Sequence, residues 1–221
     1  MDYSFDFRVI ADNWRFLLAG LWATFAVSFV ALGIGIVLGT AVGIFRLSRN
    51  SVLRRVSWAY IEVLRNTPGL VQIIWVYYCL PILIGIDLGA IAACAIALSL
   101  QSSAYIGEIV RGGITGVDKG QSEAARTVGL SAMQTMFRVV LPQAFRRMIA
   151  PLVNQVVTLI KYSSLVSVVG VADLTYQAQV LSTTTFRPLE IFSFLALEYL
   201  VICACFSYLA GVVERKLEVA G

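Results

Sequence analysis

Polar and charged side chains stand at several places where the surrounding sequence is apolar. Glu62, Arg65 and Asn66 lead into Thr67-Pro68-Gly69. Gln101, Tyr105, Glu108 and Arg111 recur at steps of four, three and three, which puts them on one stripe of a helix. Asn154, Thr158 and Lys161 make a second stripe that runs into Tyr162-Ser163-Ser164. In hydrocarbon such groups are costly, so they must face other protein or a wet cavity. Two uses are open to them: polar pairs that fix helix packing, or the lining of a solute path. For Glu108 and Arg111, near the end of their apolar block, a fixed ion pair with a neighbour is expected. Glu62, Asn66, Lys161, Tyr162, Ser163 and Ser164 fall near mid-depth, where transporter sites gather. They form the candidate substrate path, with packing as the competing use. Glu62 suits an ammonium group, and Lys161 or the serine hydroxyls suit a carboxylate.

Enzymatic chemistry finds little support. The chain has no histidine, the commonest catalytic base and metal ligand. It has no GxxxxGK[ST] phosphate loop, so no ATP site of the usual kind. Cys79, Cys94, Cys203 and Cys205 lie in apolar blocks without a CxxC pair and read as small apolar filler, with no metal site and no disulfide expected. No cofactor belongs to this chain, and no nucleic-acid partner is expected.

The elements that must position these residues follow from composition. The 221 residues are 59% hydrophobic and 14% charged, with a mean hydropathy of +0.83, far from the balance of a soluble domain. The apolar residues collect in five blocks, at about 16–45, 58–84, 90–110, 148–171 and 191–213. Each is long enough for a helix to cross a bilayer core, which takes roughly 20 residues. The expectation is an all-α integral membrane protein with five transmembrane helices, residues 1–221 forming a single transmembrane domain. The second block should break at Pro68-Gly69. In the first, Ala31, Gly35, Gly39 and Gly43 share one face and permit close helix packing. No cleavable signal peptide is expected, since MDYSFDFR lacks a basic n-region.

Basic residues favour the cytoplasmic side. With five crossings, one side holds Arg46, Arg49, Arg54, Arg55, Arg111, Lys119, Arg126, Arg138, Arg146, Arg147, Arg215 and Lys216, and the other only Arg8, Arg15 and Arg187. The N-terminus is therefore expected outside and the C-terminus in the cytoplasm, with residues 111–147 a cytoplasmic loop. Within that loop, Glu123-Ala124-Ala125 to Gly129 reads as a short helix with a breaker. Leu130, Met133 and Phe137 then recur at helical spacing, as in a helix lying along the membrane surface. Residues 172–190 read as a polar loop.

One segment carries a resemblance. EAARTVGLSAMQTMFRVVLP, from Glu123 to Pro142, resembles the EAA signature of bacterial ABC importer permeases, with Gly129, Val139 and Leu141-Pro142 at the matching offsets. EVLRNTPGLVQ from Glu62, SAYIGEIVRGGI from Ser103, Gly120-Gln121 and Leu141-Pro142-Gln143-Ala144 are similar to the polar amino-acid subfamily. The likeness extends over nearly the whole chain. It implies a type I ABC importer permease fold in the bacterial inner membrane, and partner ATPase subunits that bind ATP and Mg. It further implies a second permease subunit, either a copy or a paralogue, and an extracytoplasmic substrate-binding protein. Glu123, Ala124, Ala125 and Gly129 would form the coupling helix, Glu123 accepting bonds from basic groups of the ATPase, the alanines allowing close approach and Gly129 the turn. Where relatives often read Lys-Asp-Thr-Ser-Leu, this chain has Lys161-Tyr162-Ser163-Ser164-Leu165. The missing aspartate speaks against cationic amino acids and leans toward acidic or amide ones. Gly69 also stands where leucine is common. The alternative from another class is a secondary transporter or ion channel using Glu62, Glu108 and Lys161 as a relay, which the lack of an inverted repeat disfavours.

Overall fold

A computed structural model describes the backbone of residues 4–218 and the side chains of residues 4–212. The side chains of Arg215 and Lys216, counted above, lie outside the described residues. Among the described residues every regular element is helical, as lipid demands of a backbone that must satisfy its own donors and acceptors. The order is α1 (Arg8–Asp12), α2 (Trp14–Arg46), α3 (Ser51–Asn66), α4 (Gly69–Ile74), a π-helical turn at Trp75–Cys79 and α5 (Leu80–Ile84). Then come α6 (Ala90–Thr115), α7 (Lys119–Thr127), α8 (Ala132–Thr135), a second π-helical turn at Met136–Val140 and α9 (Leu141–Ser163). A 3-10 turn at Ser164–Val169, α10 (Leu174–Thr185) and α11 (Pro188–Glu218) complete it.

Among the described residues four stretches are long and apolar enough to cross a membrane: Trp14–Arg46, Ala90–Thr115, Ala132–Val169 and Pro188–Val212. The pair Ser51–Asn66 and Gly69–Ile84 makes a fifth when taken as one bent span. The break falls where proline predicts it. Pro68, at φ −57° and ψ 135°, leaves the helical region and starts α4.

Several expectations need correction. The helix of the second block starts seven residues before that block, so Arg54 and Arg55 are helical. α3 begins at Ser51, leaving only residues 47–50 outside the helices. The surface helix expected around Met133 and Phe137 is not separate, because Ala132–Val169 runs on as one helical stretch. Pro142 fails to stop it. Each π-helical turn ends just before a proline, Pro81 in one case and Pro142 in the other, and the wider turn relieves the crowding and the missing donor that proline brings to an α-helix. The loop expected at 172–190 contains α10, twelve residues long, started by Asp173, whose side chain accepts from the Tyr176 backbone N–H.

The helices gather into two compact units. One comprises Met1–Gly33, Thr67–Ser99 and Val157–Phe206. It contains one apolar cluster around Ile73, Cys94, Leu98, Leu159 and Val166 and another around Leu17, Leu174, Leu181 and Ile191. The other unit comprises Ile34–Asn66, Leu100–Val156 and Ser207–Gly221. In it the glycine face of α2 lies against α6. A methyl group on Gly39 would come within 2.7 Å of the Ser103 carbonyl oxygen and of Ile106 Cβ, and Gly35 and Gly43 lie equally close to Ser102 and Gly107. The small-residue stripe therefore makes a contact within this chain.

Candidate functional site

The segment with the most specific pattern forms a helical knuckle. Asp118 starts α7 by accepting from the Gly120 backbone N–H. Val128 ends the helix and Gly129 takes φ +85°, a left-handed conformation that only glycine adopts without strain. Gly129 N–H donates to the Arg126 carbonyl and Leu130 N–H to the Ala125 carbonyl, the paired bonds that close a helix over a left-handed glycine. Ser131 then starts α8 through reciprocal bonds with Gln134. The chain is thus locked into a fixed turn between α7 and α8.

Within α7 the three signature residues divide. Ala125 is buried and anchors the helix to its unit, while Glu123 and Ala124 are exposed. Glu123 makes no hydrogen bond or ion pair among the described residues, so its carboxylate is available to a partner. A depression of about 440 Å³ beside it is lined by Val117, Lys119, Ser122, Arg126 and Met136. Val128, Met133 and Phe137 expose 77, 72 and 62% of their surfaces nearby in the chain. The knuckle offers a ridge with charged and apolar groups side by side, the composition of a docking surface rather than of a reaction centre.

The polar spans are more fully paired. In the unit that holds α3, Asn66 donates to Glu62 at 2.9 Å. The Arg65 guanidinium lies 5.4 Å from the Tyr105 ring centroid, and the Tyr60 and Ser103 hydroxyls are 2.6 Å apart. Glu108 takes Arg111 at 2.7 Å and lies 3.7 Å from Arg46. The expected ion pair is present and has a third member that spacing alone did not reveal. In the other unit, Lys161 is exposed and Tyr162 is half-buried against the Leu98 cluster. Ser163 is buried and donates to the Ile160 carbonyl, and Ser164 donates to that of Lys161. The backbone stays α-helical through Ser163 and tightens to 3-10 from Ser164. Hydroxyls bonding three residues back give the Ile160 and Lys161 carbonyls a partner at this transition. Of the six path candidates, Glu62 and Asn66 are joined by a hydrogen bond, while Lys161–Ser164 follow one another around the helix, Lys161 exposed and Ser163 buried.

A buried carboxylate escaped the sequence reading. Asp173 is fully buried. It accepts from Tyr176 N–H at 2.9 Å and lies 3.5 Å from the Tyr199 hydroxyl. Beside it, Leu174 N–H donates to Thr24 Oγ1. Burial pushes its carboxyl up to about 6, against the opposing pull of the bonds from Tyr176, Thr175 and Tyr199. The available signal was helix-start chemistry, an aspartate immediately before Leu174.

The pattern of the family described as binding-protein-dependent transport system inner membrane component matches residues 15–219. The chain belongs to this family. The permease is 36% identical to the glutamine transport system permease protein GlnP of Escherichia coli (strain K12), over 98% of this chain and 99% of that one. It is 34% identical to the arginine transport system permease protein ArtQ of Bacillus subtilis (strain 168), over 97% and 98%. Its fold matches the crystal structure of an amino acid ABC transporter with histidines at a TM-score of 0.92 and 36% identity, covering 97% of the permease and all of that chain. The permease therefore has the all-helical, membrane-embedded fold of a type I ABC importer permease and is an inner-membrane transport component.

Proposed function

We propose that the permease is the pore-forming subunit of an ATP-driven importer of polar amino acids, with acidic or amide amino acids as its substrates. The observation that carries this reading is the knuckle. An exposed Glu123, unpaired among the described residues, sits on a short helix with a buried Ala125 and beside a turn that only glycine tolerates without strain. Such a ridge suits a groove on a separate ATPase subunit, which would bind ATP and Mg, and a carboxylate facing basic groups there makes a strong bond. Closure of two ATPases would draw the coupling helices together, and the rigid spans would rock between outward- and inward-facing states. Residues 1–221 act as one transmembrane permease domain, with 111–147 as the cytoplasmic coupling loop, the N-terminus outside and the C-terminus in the cytoplasm. A second permease subunit completes the pore, and an extracytoplasmic binding protein delivers the substrate.

The substrate class rests on Tyr162 standing where relatives often have aspartate, and on the glutamine named for one relative; the arginine named for another makes the direct test necessary. Glu62 and Asn66 would receive the ammonium end, and Lys161, Tyr162, Ser163 and Ser164 the carboxylate end and side chain. The test is uptake into proteoliposomes by the permease reconstituted with its ATPase and binding protein. Glutamine or glutamate uptake that requires ATP supports the reading. Uptake driven by an ion gradient in the permease alone would refute it, and ATP-dependent uptake of arginine alone would refute the substrate class.

A further inference from the structure

The unit formed by Ile34–Asn66, Leu100–Val156 and Ser207–Gly221 contains a groove of about 780 Å³ that borders the knuckle at Met136 and Phe137 and otherwise lies apart from it. Its walls come from the end of α2, the start of α3, the second half of α6 and the stretch from α8 into α9, with Ile44, Leu53, Val110, Phe137, Phe145 and Leu152 among them. Thr40 and Ser48 are the only lining residues with polar side chains. An amino acid would find nothing inside to replace the water on its ammonium and carboxylate, and burying those groups unpaired is unfavourable. Hydrocarbon fits.

The rim has a different character. The ten residues 46–55, from the end of α2 through the turn into α3, contribute Leu47, Ser48 and Leu53 to the groove and carry Arg46, Arg49, Arg54 and Arg55 with no acidic residue. Arg46 is engaged by Glu108. Arg49, Arg54 and Arg55 are exposed and pair with no carboxylate among the described residues. Among the described residues Arg54 donates only to the Ser48 carbonyl, at 3.5 Å. An apolar groove whose wall residue Ser48 is followed by Arg49 and bonded by Arg54 matches an amphiphile with a hydrocarbon tail and an anionic head. A solute without a tail leaves the groove empty, and a zwitterionic head leaves the arginines without net countercharge.

We propose that this groove holds one acyl chain of an anionic phospholipid whose headgroup phosphate is bound by Arg49, Arg54 and Arg55. Basic side chains close to anionic lipid each favour it by roughly fivefold, and arginine meets a phosphate with two parallel donors. The site lies at the end of the spans where basic residues collect, so its lipid comes from the leaflet on that side.

The test uses the assembled, detergent-purified transporter and counts bound lipid by native mass spectrometry. The probes are phosphatidylglycerol and phosphatidylcholine with identical acyl chains. Phosphatidylglycerol should be retained at a concentration between about tenfold and roughly a hundredfold lower than phosphatidylcholine, the upper figure applying if all three arginines act together. The combined change R49Q/R54Q/R55Q should abolish that preference. Leu152→Trp, which fills the groove and leaves the arginines in place, should lower retention of the tightly held lipid while complex assembly is unchanged. Equal retention of the two lipids by the parent protein, or a preference that survives the triple change, overturns the proposal. So does a disulfide between two copies of a Phe145→Cys chain that the parent chain does not form, since a second copy would then cover the groove.

Discussion

At the residue scale, burial and local bonding decide what each polar group can do. Asp173 sits at the start of α10, facing Tyr199 of α11 and, in the same unit, Cys94 of α6. Its folded carboxyl titrates near 6, above the ordinary 3.8, so the folded state holds its proton more tightly than the unfolded chain. That contribution is complete below about pH 4 and is lost as pH rises through about 6. The thermal midpoint of the purified permease should fall across this window, and Asp173→Asn should flatten the fall. An unchanged slope in the variant would assign the pH dependence to other groups. Tyr162 offers a second test. If it lines the substrate site, Tyr162→Asp shifts uptake several-fold from glutamine toward arginine, while Tyr162→Phe leaves the ratio as it was. Preserved transport with an unaltered ratio in the aspartate variant would make Tyr162 a packing residue of the Leu98 cluster.

Elements carry the next pair of consequences. α7 and α8 are joined by bonds that depend on a left-handed residue at 129, so Gly129→Asp strains the turn and Glu123→Ala removes the exposed carboxylate. Both should lower transport and transport-stimulated ATP hydrolysis at least tenfold without changing membrane insertion, measured as uptake against the amount of inserted permease. Full activity in both variants would detach this knuckle from coupling. The α2–α6 contact depends on the absence of side chains. At Gly39 a leucine would meet backbone and Ile106 at distances that neither can accommodate, so Gly39→Leu should sharply reduce monodisperse protein on size-exclusion chromatography. Gly33, which has open space around it, should accept alanine with little change.

For the whole molecule, the twelve-to-three distribution of basic residues makes a single orientation testable. Cysteines introduced at Ser122 in α7 and Gln134 in α8 should react with impermeant reagents only from the cytoplasmic side, and one at Thr183 in α10 only from outside. All three positions are exposed or half-exposed, so failure to label will not come from burial. Reaction at Ser122 from the outside would invert the orientation and remove the ATPase from reach of the knuckle.

Sequence alone determined the features that the solvent or the local chain imposes. Lipid forces long apolar stretches into helices, so the spans were legible as blocks. Proline lacks a donor, so the break at Pro68 was legible, as was the stop at Gly129, although α7 begins at Lys119, four residues before Glu123. Helical spacing brought Glu108 to Arg111 because three residues make nearly one turn. Tertiary structure decided everything that depends on distant neighbours. Arg46 joins Glu108 across 62 positions in the chain, the α2 glycines found α6, and Asp173 became buried only once α2, α6 and α11 had packed in its unit. The π-helical turns ahead of Pro81 and Pro142, and the groove beneath the arginine-rich turn, likewise come from packing. None of these leaves a periodic trace in the sequence, because hydrophobic periodicity reports which face is buried and not what it is buried against.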